Sequence, residues 1–147
     1  MAEGANVRRP GAVLFVCALN AVRSPMAAAL ARHFFPRAFY VQSAGVKRGD
    51  ADPFAVAVMA ELGLDISRHQ PHTFEDLEDS YFDLVVTLSP EAHHRALELT
   101  RTMAVEVEYW PTPDATAATG SRAQILDAYR AVRDMLARKI KTRFAAP

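Results

Sequence analysis

Cysteine is nearly absent from the chain: among 147 residues there is one, Cys17. A lone thiol excludes an internal disulfide and any cysteine-cluster metal site, and it fits a reducing compartment. No stretch reaches the roughly 18 to 20 consecutive apolar residues that a membrane-spanning helix needs. Residues 1–10 are polar rather than signal-like and read as a flexible tail. These absences predict a cytoplasmic protein without a membrane partner. Excess charge is missing too, because Lys plus Arg and Asp plus Glu both number 17. Without a global positive field, a nucleic-acid partner is not expected. No repeat, linker or low-complexity block divides the sequence, so residues 1–147 read as one domain with half its residues apolar.

What is present is an alternation of strand-like and helix-like segments. Residues 12–16 form a short, continuous apolar run, the pattern of a strand buried on both faces. Residues 25–35 are helix formers ended by Pro36, with Ser24 placed to cap them and Pro25 suited to the first helical position. A second strand is expected at 39–42, closed by Ser43-Ala44-Gly45, then a helix at 53–62 ended by Gly63. Further on come a short helix at 73–78, a strand at 83–87, a helix at 91–99, a strand at 104–109 and a last helix at 121–143. The order predicts an α/β fold: a four-stranded parallel sheet with helices on both faces, in three layers.

Such sheets carry their chemistry at the carboxyl ends of the strands, beside the amino ends of the following helices. Cys17 ends the first strand there, and Arg23 follows after five intervening residues. A loop of that length can curl around an oxyanion. The backbone N–H groups of Ala18, Leu19, Asn20, Ala21 and Val22 and the positive end of the next helix would form the cradle, with Arg23 as a planar bidentate clamp. Ser24 would add a hydroxyl hydrogen bond. The same positive surroundings favour the thiolate of Cys17, which is its nucleophilic form. Asn20 tolerates a left-handed backbone and would shape the loop without taking part in the chemistry.

These segments resemble the low-molecular-weight protein tyrosine phosphatases and their arsenate reductase relatives. The resemblance rests on Cys17, Asn20, Arg23-Ser24-Pro25-Met26-Ala27, Ser43-Ala44-Gly45, Gly63-Leu64-Asp65-Ile66-Ser67 and residues 83–89. It implies a flavodoxin-like fold and no cofactor. It also implies hydrolysis of phosphomonoesters, phosphotyrosine or other aryl phosphates, through a phosphocysteine on Cys17, with inorganic phosphate, sulfate or vanadate as site ligands. Arg23 would stabilise the phosphoryl oxygens, and Asp114, in Trp110-Pro111-Thr112-Pro113-Asp114, would protonate the leaving group. Four features depart from the family pattern. Asp114 is followed by Ala115 and Thr116 where proline is usual; as an isolated aspartate it also reads as a turn cap. Leu19 stands where glycine is usual and tolerates positive φ poorly. Val22 replaces a second loop cysteine, and residues 46–50 hold no aromatic to stack on a substrate ring.

Two other readings compete with hydrolysis: arsenate reduction with an external thiol, and an oxyanion-binding module without turnover. A flavin site is disfavoured because Cys17 to Arg23 replaces the Ser/Thr-rich loop it would need. His69 and His72, separated by Gln70 and Pro71, have a metal-like spacing but no third ligand nearby and read as exposed loop residues. His93 and His94 point to different sides of their helix. No metal is assigned. The cations of the last helix, among them Arg130, Arg133 and Arg143, read as the solvated face of an amphipathic helix.

Overall fold

The computed structural model describes residues 10–77 and 81–145. Apart from Pro10, the expected tail lies outside these residues, as does Glu78, the last residue of the expected short helix.

Strand β1 (Ala12–Cys17) is buried at every position, as its unbroken apolar run requires. It lies inside a parallel sheet of order β2-β1-β3-β4, with β2 (Tyr40–Gly45), β3 (Leu84–Thr87) and β4 (Glu106–Tyr109). Successive strand residues point to opposite faces. Val13, Phe15, Leu84 and Val86 therefore join the core under helices α1 (Arg23–Phe34), α2 (Pro53–Ala60) and α4 (Arg122–Phe144). Leu14, Val16 and Val85 pack on the other side with Ala92 and Ala96 of α3 (Pro90–Leu99). The result is the three-layer, flavodoxin-like architecture expected. The sheet changes direction between β1 and β3, so the end of β1 opens into a crevice of the kind where doubly wound sheets bind ligands.

Helix ends follow local chemistry. Asp52 caps α2 by accepting from the N–H groups of Phe54 and Ala55, Ser89 caps α3, and Ser121 with Gln124 forms a capping box at α4. Gly63, at φ 76°, turns the chain after α2. The expected short helix is a single 3-10 turn, Phe74–Asp76, capped by Thr73. Edge strand β4, Glu-Val-Glu-Tyr, has no fully buried residue and is half solvated, unlike β1 and β3.

The cations of α4 are more than a solvated face. Arg133 is 7% exposed and donates to the Val58 carbonyl and to Glu61, just past α2, while Arg130 binds the same carboxylate. Hydrogen bonds from Arg130 and Arg133 push the Glu61 carboxyl down to about 2 from the ordinary 4.5. A carboxyl depressed by folding stabilises the native state above its unfolded value, and that contribution is lost as pH falls. Stability should therefore drop between about pH 4.5 and about pH 2. Urea titrations across that window should show a shallower drop in Glu61→Gln; an identical slope would show that the tether carries no pH-dependent stability.

Candidate active site

The loop after Cys17 is shaped from outside. Three of its carbonyls accept from the segment that follows β2: Val46 N–H bonds Cys17 O (3.1 Å), Lys47 N–H bonds Ala18 O (2.9 Å) and Gly49 N–H bonds Leu19 O (2.9 Å). A fourth, Asn20 O, accepts from His69 Nε2 at 2.9 Å. With these carbonyls engaged outward, the loop amides are left over: among the described residues no protein acceptor takes the N–H of Leu19, Asn20, Ala21 or Val22. Unpaired backbone donors gathered beside a helix start are what an oxyanion satisfies.

Chain reversal falls on Asn20, at φ 56°, as its identity suggested. Leu19 does not have positive φ, so the concern raised by a leucine at that position does not apply. The Asn20 side chain is fully buried and turned away from the cavity. Its Oδ1 accepts from the His72 N–H (3.0 Å), which leaves Nδ2 to donate to Ser24 Oγ (2.9 Å) and Ser43 Oγ (3.0 Å). Ser24 Oγ lies 3.0 Å from Cys17 Sγ, and the Ser24 N–H reaches the same sulfur at 3.4 Å. Because Asn20 donates to Ser24, the one serine proton is left for the Cys17 sulfur or the Ala44 carbonyl, and a chain of contacts runs from Asn20 through Ser24 to Cys17.

Those contacts correct two expectations. Ser24 does not cap α1, and its hydroxyl faces the thiol rather than the anion cradle. The helix begins two residues before Pro25, at Arg23, with Val22 at the N-cap and no side-chain cap at all. The serine hydroxyl is committed to Cys17, Asn20 and Ala44 O (3.3 Å), the Ser24 N–H faces the Cys17 sulfur, and the Arg23 N–H stays open toward the loop. Strand β2 also runs further than expected, through Ser43-Ala44-Gly45, because small residues are needed where the loop descends on it. A Cβ on Gly45 would sit 2.6 Å from Lys47 O and 2.8 Å from Asn20 N.

A cavity of about 60 Å³ lies over the loop, lined by Cys17, Ala18, Leu19, Ala21, Val22, Arg23, Asp114 and Thr116. Asp114 arrives from the chain after β4, which is anchored to the end of β3 by Trp110 N–H to Thr87 O (2.8 Å) and Thr112 N–H to Leu88 O (3.2 Å). Arg23 Nη1 donates to Thr112 O (3.1 Å), joining the start of α1 to the segment that carries Asp114. Asp114 is also the turn cap that its isolated identity allowed: Oδ1 accepts from the Thr116 N–H (3.0 Å) and Oγ1 (2.6 Å). Partial burial pushes its carboxyl up, but the Thr116 hydrogen bonds and the Arg23 charge outweigh that and hold it below the ordinary aspartate value. Ala115, in place of the usual proline, is buried in the core.

His69 and His72 overturn the reading of exposed loop histidines. Both are half-buried, with rings 5.7 Å apart, and both bind the loop or its support: His69 through Asn20 O, His72 through its own N–H to Asn20 and its ring to the Ser43 carbonyl. Burial pushes the His69 imidazole below its ordinary value, against the opposing pull of the Asn20 carbonyl. No sequence signal gave these contacts, which depend on a 3-10 turn and a bridge between Gly45 and Thr73 that bring the segment alongside β2. Asn20→Ala would strip partners from Ser24, Ser43 and the His72 N–H at once. With about 1–3 kcal/mol for each buried group left unpaired, it should lower the urea midpoint clearly. Unchanged stability would mean the chain of contacts is not under strain from burial.

A doubly wound sheet that ends an inner strand in cysteine and returns with arginine at a helix start defines a small cysteine-loop enzyme of the phosphatase type. The family model described as low molecular weight phosphotyrosine protein phosphatase matches residues 12–143, and the chain belongs to that family. It is 32% identical over 131 residues to an arsenate reductase of Halalkalibacterium halodurans, covering 88% of this chain and 92% of that protein. Among solved structures it is similar to an arsenate reductase in the phosphate binding state, with TM-score 0.71, 26% identity and coverage of 91% and 96%. It is also similar to the low molecular weight protein tyrosine phosphatase of T. tengcongensis, with TM-score 0.71, 25% identity and coverage of 88% and 95%. No helix among the described residues is long and apolar enough to cross a membrane.

Proposed function

We propose that the protein is a cytoplasmic phosphomonoesterase acting on aryl phosphates, phosphotyrosine on a protein included. The observation that carries this reading is the meeting of Cys17, Arg23 and Asp114 on one cavity of about 60 Å³. Cys17 Sγ attacks phosphorus, the bond from phosphorus to the ester oxygen breaks, and Asp114 gives its proton to the departing oxygen. Arg23 and the amides of residues 18–23 hold the three non-bridging oxygens as charge redistributes. Water then attacks the phosphocysteine, Asp114 takes the proton back, and the thiolate leaves with phosphate. The cavity lining has no aromatic side chain, so the phosphoryl group rather than the ring supplies most of the recognition.

Arsenate reduction is the second reading, favoured by the arsenate reductases among the relatives. It needs two electrons from two thiols, and the chain holds a single cysteine. Cys17 would add to arsenate with loss of water; an external thiol would then attack the Cys17 sulfur and release arsenite, leaving a mixed disulfide for a second external thiol to reduce. Hydrolysis requires neither co-reactant. The deciding measurement gives one preparation of pre-reduced protein either 4-nitrophenyl phosphate or arsenate with a small-molecule thiol. Thiol-independent nitrophenol release supports the phosphatase. Thiol-dependent arsenite formation without nitrophenol release supports the reductase and overturns it, and loss of both activities with anion binding intact supports a binding module.

Similarity to the phosphate binding state of a relative also supports phosphate, sulfate and vanadate as ligands of the cavity. Ligand at 100 times its Kd stabilises a native protein by about 2.7 kcal/mol. Saturating vanadate should thus raise the melting temperature by several degrees, and a temperature indifferent to all three anions would count against the cradle.

A further inference from the structure

A larger cavity, about 460 Å³, lies behind the loop between α1, the edge strand β2 and residues 64–72. It shares no lining residue with the cavity over Cys17. Its charge is positive on balance, with two guanidinium groups against one carboxylate. Arg32 and Arg68 contribute guanidinium groups and neither has a carboxylate partner among the described residues. Arg32 is held in place by donating Nη2 to the Val41 carbonyl (2.7 Å), which spends one corner of its fork and leaves the rest. Burial pushes that guanidinium below its ordinary value, against the opposing effect of Tyr40. Asp65 is the acidic residue in the lining; its carboxylate caps Ser67 N–H at 2.8 Å and is held below its ordinary value by those Ser67 hydrogen bonds and, to a smaller extent, by the charge of Arg68. Apolar residues share the lining: Ala28, Leu64 and Ile66 face the same space.

Size selects among anions. At about 460 Å³ the cavity falls within the range of about 300–1,000 Å³ typical of small-molecule sites. An inorganic oxyanion, which suits the smaller cavity of about 60 Å³, would leave most of this one unfilled. A phosphate or carboxylate head fits the fork of Arg32 and the charge of Arg68, and an organic body fits the wall of Ala28, Leu64 and Ile66. His69 and His72 also line the cavity, and both bind Asn20, the reversal point of the loop. An occupant that displaces the His69 ring acts on the Asn20 carbonyl and, through Ser24, on Cys17; one that displaces the His72 ring acts on the Ser43 carbonyl and on the backbone whose N–H holds Asn20 Oδ1.

We propose that this cavity binds a small organic anion, phosphorylated or carboxylated, and that its occupancy reaches the catalytic loop through His69 and His72. The binding half goes beyond the phosphatase reading and does not depend on it. The test follows backbone amide shifts in the full chain, with and without vanadate, as adenosine 5′-monophosphate or naphthalene-1-carboxylate is added. The two probes separate phosphate from carboxylate preference. Saturable shifts at Ala29, His33, Leu64 and Arg68, extending to Asn20 and Ser24, are the expected result. Arg68→Glu, at an exposed position, should weaken the bound probe about tenfold or more, the scale of one charge-assisted hydrogen bond. Arg32→Gln should do the same, and the Arg68 variant decides if loss of the Val41 bond perturbs the fold. Shifts confined to residues 18–23, no saturable shift with either probe, or unchanged affinity in Arg68→Glu overturn the site. Binding that leaves Asn20 and Ser24 unmoved overturns the coupling. Vanadate is read at the loop amides and the probe at Leu64 and Arg68, so failure of the phosphatase reading is distinguishable from failure of this one.

Discussion

Cys17→Ser is expected to reduce aryl phosphate turnover on the order of 10⁴-fold or more, the scale on which loss of a nucleophile acts. The hydroxyl is a much weaker nucleophile than a thiolate. The fold should survive. Cys17 is 2% exposed at the end of an all-buried strand, and a serine there is smaller and keeps a partner in Ser24 Oγ. The loop amides and Arg23 are untouched, so vanadate should still raise the melting temperature of the variant. Paired measurements of turnover and vanadate-dependent melting separate chemistry from binding. Turnover near wild type would place the nucleophile elsewhere and end the phosphocysteine mechanism.

Asp114→Asn should slow esters of basic leaving groups by about 10²- to 10⁴-fold while slowing nitrophenyl esters far less. A phenolate of high basicity needs the proton in the transition state, whereas a nitrophenolate leaves without much help. The sign of the pH effect follows from the role. Asp114 must be protonated to act, and in the free protein its carboxyl lies below the ordinary aspartate value, with hydrogen bonds from Thr116 and the charge of Arg23 overcoming the effect of burial. The protonated fraction therefore falls as pH rises, and kcat/KM for a poor leaving group should decline with pH across the accessible range. Asparagine should abolish that limb. Thr116→Val, which removes the hydroxyl bond to Oδ1, should move it to higher pH. Equal slowing of all leaving groups in the asparagine variant would reduce Asp114 to a turn cap.

The strand, loop and helix that carry Cys17 and Arg23 were legible because they are local: an apolar run, a fixed spacing and a helix-forming stretch lie within a few residues of one another. Asp114 was legible through its resemblance, and its dual place as cap and cavity wall follows from Thr116, two residues on. What escaped the sequence depends on distant contacts. Ser24 has the local chemistry of a cap, but its hydroxyl is captured by Cys17 and Asn20, so α1 starts earlier and uncapped. Ser43-Ala44-Gly45 looks like the end of a strand because small residues often end strands; here they make room for the loop backbone. His69 and His72 carry no pattern that distinguishes a loop support from a surface residue. Arg133 reads as one cation among many on α4 until Val58 O and Glu61 are placed beside it.

The outward pairing of the loop carbonyls sets a limit on transplantation. Residues 17–24 contain Cys17 and Arg23, to which the proposed mechanism gives the roles of nucleophile and clamp, and the Asn20-Ser24 contact, and they look like a portable cassette. Their shape, however, is stored in two other stretches of chain, the amides of Val46, Lys47 and Gly49 and the side chain of His69. Grafted alone onto the end of a strand in another parallel sheet, the eight residues would keep every reactive group and lose the partners of four carbonyls. Those oxygens would then compete for the loop's own amides, closing the cradle on itself. A graft that also carries residues 45–49 and 69–72 moves the mould together with the cast.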